Sequence, residues 1–136
     1  MTFRVLVVED MQVLYDLMLQ TFEKSFSMEK FEFTNVKSIP AALDALEQDW
    51  DAILMDYYLG VPFGERQGLS FEHGADLITY RRTLEKDDPQ KKKAYIIGIS
   101  GSELRNQEMV AAGAAAHFLK LDDTGLTGAL AALEKC

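Results

Sequence analysis

Short runs of β-branched and apolar residues alternate along this chain with segments whose apolar positions recur at helical spacing. That is the pattern of a parallel sheet covered on both faces. Arg4-Val5-Leu6-Val7-Val8 predicts a first buried strand, and Leu14, Leu17, Met18 and Phe22 then share one helix face. Phe31, Phe33 and Val36, with polar residues between them, predict a second strand at a sheet edge. Ser38 reads as a helix cap with Pro40 in the first turn, followed by a buried stripe of Leu43, Leu46 and Trp50. Ala52-Ile53-Leu54-Met55 is continuously apolar and stops at Asp56, as a central strand does.

An irregular, glycine-containing stretch from Gly60 to Gly74 comes next, long for an α/β connection, where about 2–6 residues are usual. Helical spacing resumes with Leu77, Ile78 and Leu84 and ends at Asp87-Asp88-Pro89, because proline cannot donate to the helix ladder. Tyr95-Ile96-Ile97-Gly98-Ile99 predicts a fourth strand ending at Ser100. Ser102 caps a helix through Leu104, Met109 and Ala112 that Gly113 closes in a left-handed conformation. His117-Phe118-Leu119 forms a fifth strand ending at Lys120, and Thr124 caps a last helix carrying Leu126, Leu130 and Leu133.

Length and composition narrow the function classes. A chain of 136 residues with 48% hydrophobic positions is enough for one packed core without disulfides or structural metal. Its 22 acids against 14 Lys and Arg give a net charge of -8, which argues against direct nucleic-acid binding. The lysine run Lys91 to Lys93, next to acidic Glu85 to Asp88, reads as a solvated loop. The one cysteine, Cys136, permits no internal disulfide and suits a reducing compartment. The apolar run before Asp10 is too short to cross a bilayer and ends in two acids, so a soluble cytoplasmic protein with no membrane contact is expected.

Four of the predicted strands hand over to a polar residue at the carboxyl end: Glu9 and Asp10, then Asp56, Ser100 and Lys120. In an open parallel sheet these ends share one edge, where ligands bind at the point of strand-order reversal. Any one such Asp is often a helix cap, but four handovers of complementary chemistry are harder to explain that way. Three converging carboxylates repel one another, and a divalent cation relieves them; an all-oxygen, water-accessible set suits Mg²⁺, and no Cys or His pair has zinc spacing. Lys120 and Ser100 add an ammonium and a hydroxyl, so metal, ammonium and hydroxyl can each hold an oxygen of a transferring phosphoryl group. An Asp among them can be the nucleophile that forms an aspartyl phosphate. Lys120 is equally compatible with a plain buried ion pair.

RVLVVED, AILMD, IIGIS and HFLK, in this order and spacing, resemble the receiver domain of two-component response regulators over essentially the whole chain. The resemblance implies a flavodoxin-like, doubly wound five-stranded parallel sheet of order 2-1-3-4-5. It implies Asp56 as phosphoacceptor, with Ser100 and Lys120 as its catalytic partners. Glu9, Asp10, Asp56 and the backbone carbonyl of Tyr58 would be the Mg²⁺ ligands, and Ser100 with His117 the switch pair. It also implies a histidine kinase or phosphotransfer protein as donor, a downstream protein target as output, and a monomer or a dimer formed on phosphorylation. Such a receiver phosphorylates and dephosphorylates itself rather than acting on external substrates.

The chain departs from the family at Met11, where a further polar residue is common, and at Leu121, where proline commonly follows the lysine. Tyr58 and Ser102 occupy the two variable positions that by resemblance tune hydrolysis, and a bulky Tyr58 implies a long-lived phosphoryl group. The glycine before the third helix falls best on Gly74, with Gly64 the rival register. Phe63, Leu69 and Phe71 are then candidates for a lid over the site or a partner contact, against the plainer reading of a tolerated insertion. A single domain over 1–136 with a long loop at about 60–74 is expected, with no output domain after the last helix. The competing classes are a receiver-like interaction module without phosphoryl turnover, an Asp-nucleophile phosphatase, and an FMN-binding domain. Tyr58 stands where the phosphatase would carry a second Asp. The acidic turn after Val8 lacks the cradle a flavin phosphate needs.

Overall fold

The computed structural model describes residues 2–25, 28–60, 64–120, 128 and 131–132. The elements are β1 (Phe3–Val8), α1 (Gln12–Ser25), a short 3₁₀ turn (Met28–Lys30), β2 (Phe31–Val36), α2 (Ile39–Ala45), β3 (Ala52–Asp56), β4 (Gly64–Arg66), β5 (Leu69–Phe71), α3 (Gly74–Asp87), β6 (Tyr95–Ser100), α4 (Glu103–Ala112) and β7 (Ala116–Leu119). Five strands pair in parallel in the order β2-β1-β3-β6-β7, the doubly wound 2-1-3-4-5 arrangement once the β4-β5 ribbon is set aside.

The two-residue period of the strands sorts the core into two layers. Leu6, Val8, Ile53, Met55 and Ile96 face α2, α3 and the buried side of α4, while Val5, Val7, Leu54, Ile97 and Ile99 face Met18 and Phe22 of α1. Residues 128, 131 and 132 are helical, and Ala132 packs against this second layer. Thr124, Leu126, Leu130 and Leu133, read as the last helix, lie outside the described residues, as do Phe63, Leu121 and Cys136.

Capping follows the chemistry of the sequence. The Ser38 hydroxyl accepts the Ala41 N–H at 3.2 Å with Pro40 in the first turn, and Ser102 does the same for Arg105 at 3.4 Å. Gly113 ends α4 at φ 125, a conformation that L side chains rarely adopt.

Three readings from periodicity need correction. Helix α2 stops at Ala45, so Leu46 and Trp50 are buried in the connection to β3 instead of on a helix; the Trp50 indole N–H donates to the Ala45 carbonyl at 2.8 Å and fixes the turn. Leu17 and Leu104 are exposed, because a helix on one sheet face buries a narrow stripe: Tyr15, Met18, Leu19 and Phe22 on α1, Asn106 and Met109 on α4. The stretch after Gly60 contains an antiparallel hairpin, β4-β5, that packs on α2 and α3. The cleft at the strand ends is lined by Asp10, Tyr58, Gly60, Ser100 and Lys120 among others and by no hairpin residue, so Leu69 and Phe71 form no lid.

Candidate functional site

Parallel strands of matched register deliver their last residues to one edge. Val8 is level with Met55, Asp56 with Ile99, and Ser100 with Leu119, which places Asp56, Ser100 and Lys120, with Asp10, around one cleft of about 420 Å³, while Glu9 is buried and paired with Lys120. Lys120 Nζ reaches both Asp56 Oδ2, at 2.9 Å, and Glu9 Oε2, at 2.5 Å. Asp56 Oδ1 accepts the Tyr57 N–H at 2.8 Å and Glu9 Oε1 accepts the Met11 N–H at 3.2 Å. Ser100 is buried; its hydroxyl accepts the Ser102 N–H at 3.2 Å, and its carbonyl accepts the Lys120 N–H at 2.9 Å.

One ammonium is too little for these acids. Glu9 is 1% exposed and Asp56 6%. Burial, then repulsion from Asp56, lifts Glu9 from its usual 4.5 to about 7 despite Lys120. Burial raises Asp56 as well, against the pull of Lys120 and the Tyr57 N–H. Burial works to lower Lys120, but Asp56 and Glu9 outweigh it and raise the ammonium above its ordinary value.

The donor chemistry fits a hard divalent cation. Carboxylate oxygens of Glu9, Asp10 and Asp56 lie within 4.8 Å of one another, and two of these groups are buried acids whose charge is otherwise unfavourable. These carboxylates can hold a metal ion. Gly60, at φ 65, turns the chain so closely past Asp10 that a Cβ would sit 3.3 Å from Oδ2, which keeps this side of the cleft open.

The remaining candidates lie further out. Tyr58 lines the cleft but is 58% exposed, and its hydroxyl accepts the Arg105 Nε–H at 2.9 Å. His117 is half-buried on β7 with Nδ1 3.7 Å from Glu103 on α4, and β6 lies between its strand and β3, which carries Asp56. Met11 sits at the rim, exposed.

Several supporting residues were not read from the sequence. Asn35 Nδ2 donates to the carbonyls of Val7 at 2.9 Å and Glu9 at 3.1 Å, clamping β2 to the end of β1. Asn106 Nδ2 does the equivalent for Ser100 at 3.3 Å and Phe118 at 3.1 Å, setting the β6 and β7 ends together. Their signal was an asparagine among apolar neighbours, which composition alone assigns to the surface. Tyr57 is buried between the His73 ring, stacked at 4.4 Å, and the Arg105 guanidinium at 5.1 Å, tying the loop after β3 to both α3 and α4. Gly74 opens α3 directly against β3: a Cβ there would lie 2.0 Å from the Asp56 carbonyl oxygen, and its N–H donates to Tyr57 O at 2.8 Å. Gly64, the rival register, lies in β4 against Ile39.

No family profile matches the sequence, and no curated protein matches it. Solved structures do. A CheY-like response-regulator receiver domain from Methylobacillus flagellatus superimposes with a TM-score of 0.69 over 98% of this chain and 99% of that one, at 21% identity. The fold is that of a receiver domain. The receiver domain of a Pseudomonas aeruginosa sensor histidine kinase, which carries magnesium in its active-site cleft, matches the receiver fold here with a TM-score of 0.66, 20% identity and full coverage of both chains. The phosphorylated cyanobacterial phytochrome response regulator RcpA gives 0.71 at 17% identity, covering 99% of this chain and 93% of its own. Among the described residues no helix is long and apolar enough to cross a membrane.

Proposed function

We propose that this chain is a signalling receiver that takes a phosphoryl group onto Asp56 from a phosphohistidine of a histidine kinase or phosphotransfer protein. The observation that carries this reading is the pairing of Lys120 with both Glu9 and Asp56, at 2.5 and 2.9 Å, at the carboxyl edge of a receiver fold. An Asp56 carboxylate oxygen attacks phosphorus, the P–O bond forms as the P–N bond to the donor imidazole breaks, and the imidazole leaves with the electron pair. Lys120 is placed to follow the charge from the carboxylate to the phosphoryl oxygens, and the Ser100 hydroxyl hydrogen is available to donate to another. Mg²⁺, when bound by Glu9, Asp10, Asp56 and the Tyr58 carbonyl, would neutralise the remaining oxygens and the acids together.

The output is binding to a downstream protein, switched as Ser100 moves toward the phosphoryl group and His117 responds across the β6-β7 pair. Register supports that link, since Gly98 lies opposite His117 and Ser100 opposite Leu119. Incubation with Mg²⁺ and a small acyl phosphate tests the reading. One base-labile phosphoryl group per chain is expected, absent in Asp56→Asn; equal labelling of that variant overturns it.

A further inference from the structure

The described part of the stretch before Gly74, from Gly64 to Phe71, does not line the cleft; it forms a ribbon seated elsewhere. Its β4 strand is pinned to α2, where Gly64 abuts Ile39 and Arg66 pairs with Asp44 at 2.5 Å and Glu47 at 3.4 Å. Its β5 strand lies toward α3, where the Phe71 ring meets Tyr80 edge-on at 5.4 Å and the Tyr80 hydroxyl reaches Glu47 at 3.3 Å. The ribbon is therefore held in place before any partner arrives. Between β5 and α3 runs a groove of about 250 Å³ with Leu69, Phe71, Tyr80 and Leu84 among its walls.

Among the described residues, no strand pairs with the backbone edge of that groove. Gln67 and Gly68 have φ of 54 and 77, the two-residue turn whose twist suits a hairpin. Such a turn makes Arg66↔Leu69 the hydrogen-bonded closing pair and Glu65↔Ser70 a non-bonded pair. The Ser70 N–H and C=O thus point away from β4, and no strand pairs with that side among the described residues. Edges of this kind are normally blunted by charge or proline. Here the edge carries Leu69, 58% exposed, and Ser70. The charge beside it has one sign: Asp76 and Asp87 line the groove and no cation does. Asp76 is engaged by the N–H groups of Glu72 and His73, whereas Asp87 is exposed and without an ion-pair partner among the described residues.

We propose that this groove binds an extended peptide segment of a partner protein, added to β5 as a third strand through the Ser70 backbone. An apolar side chain would lie on Leu69, and a lysine or arginine would reach Asp87. Main-chain pairing supplies affinity, and the groove and its acid supply specificity. The surface is independent of the cleft, so it does not stand or fall with phosphoryl transfer to Asp56.

Selection of displayed random dodecapeptides against the full chain tests this, with Ser70→Pro as counter-target. Enriched peptides are expected to alternate apolar and polar positions and to carry Lys or Arg. A synthetic copy should shift the amide resonances of Ser70, Thr83 and Leu84. Its affinity should fall about tenfold or more in Ser70→Pro and Leu69→Glu, and about two- to fivefold in Asp87→Asn. Proline at a non-bonded position keeps the ladder intact, and Leu69 is exposed, so both variants should fold. Labelling of Asp56 should proceed in Leu69→Glu as in wild type. The proposal is overturned if no peptide is enriched, if the enriched peptides bind Ser70→Pro and Leu69→Glu undiminished, or if the shifts map to the cleft.

Discussion

Two buried ionic clusters lie at opposite edges of the sheet, and they are built on different principles. At the carboxyl edge, Lys120 alone faces Glu9 and Asp56, and both acids are driven toward protonation. At the other edge, Arg81, wholly buried, and Arg82 share Glu85 at 2.8 and 2.7 Å, and Glu85 also accepts the Ala94 N–H at 3.0 Å. Burial would raise Glu85 too, but the Ala94 N–H and the two guanidiniums overcome it and hold the acid below its ordinary range. Arg81 spends its other donors on the carbonyls of Leu46 at 2.7 Å, Gln48 at 2.5 Å and Lys92 at 2.6 Å, and so closes the loops that enter β3 and β6. One cluster is complete without a ligand. The other is short of positive charge beside a water-accessible cleft, which is the condition of acids that can hold a cation.

Breaking each cluster should therefore give opposite phenotypes. Asp56→Asn removes the proposed nucleophile and relieves repulsion on Glu9, so loss of labelling by more than about a hundredfold is expected with stability equal to or above wild type. Urea titration alongside the labelling assay checks both halves. Arg81→Met should do the reverse: it strands three carbonyls and half of the Glu85 pairing, costing about 3–5 kcal/mol. Per folded molecule, labelling of Asp56 should survive. An Arg81→Met chain that folds as stably as wild type yet cannot be labelled would erase the distinction between the two clusters.

Gly74→Ala probes the path between fold and site. The added Cβ would meet the Asp56 carbonyl at 2.0 Å, against backbone that cannot swing aside as a side chain does. Overpacking of this kind costs about 1–3 kcal/mol. Because it displaces the end of β3, labelling should slow even after correction for stability, as rates at matched folded fraction would show.

The carboxyl cluster was legible in the sequence because each site residue terminates an apolar run. Val8, Met55, Ile99 and Leu119 end the apolar runs, and the next polar residue falls at the edge whatever the exact helix bounds. The complete cluster was not legible. A buried arginine contradicts the expectation that Arg lies outside, and the only local hint was the i,i+4 spacing of Arg81 and Glu85; the three carbonyls it satisfies come from distant loops. The hairpin escaped for a different reason. Strands of three residues, Gly64–Arg66 and Leu69–Phe71, are too short for a period to register, leaving Gln67-Gly68 as the one turn signal. Leu17 and Leu104 misled because apolar spacing on a helix names more positions than a sheet face can cover.

The gentlest test separates the clusters by pH and metal. Glu9 has a folded value near 7, above its unfolded 4.5, so the native state holds the extra proton between them. Its contribution to stability is full below about 4.5 and is lost as pH rises through about 7. Glu85 is shifted the other way, so its contribution is present above its unfolded value and is lost as pH falls through the depressed folded one. Mg²⁺ bound at the carboxyl edge as proposed would compete with the Glu9 proton, whereas the guanidiniums of Arg81 and Arg82 offer a cation nothing. Ten times its Kd of Mg²⁺ should therefore add about 1.4 kcal/mol above pH 7, progressively less toward pH 5, and nothing extra in Arg81→Met beyond what wild type gains. A metal effect that grows as pH falls would place the cation elsewhere and undo the reading of the carboxyl edge as the charge-deficient one.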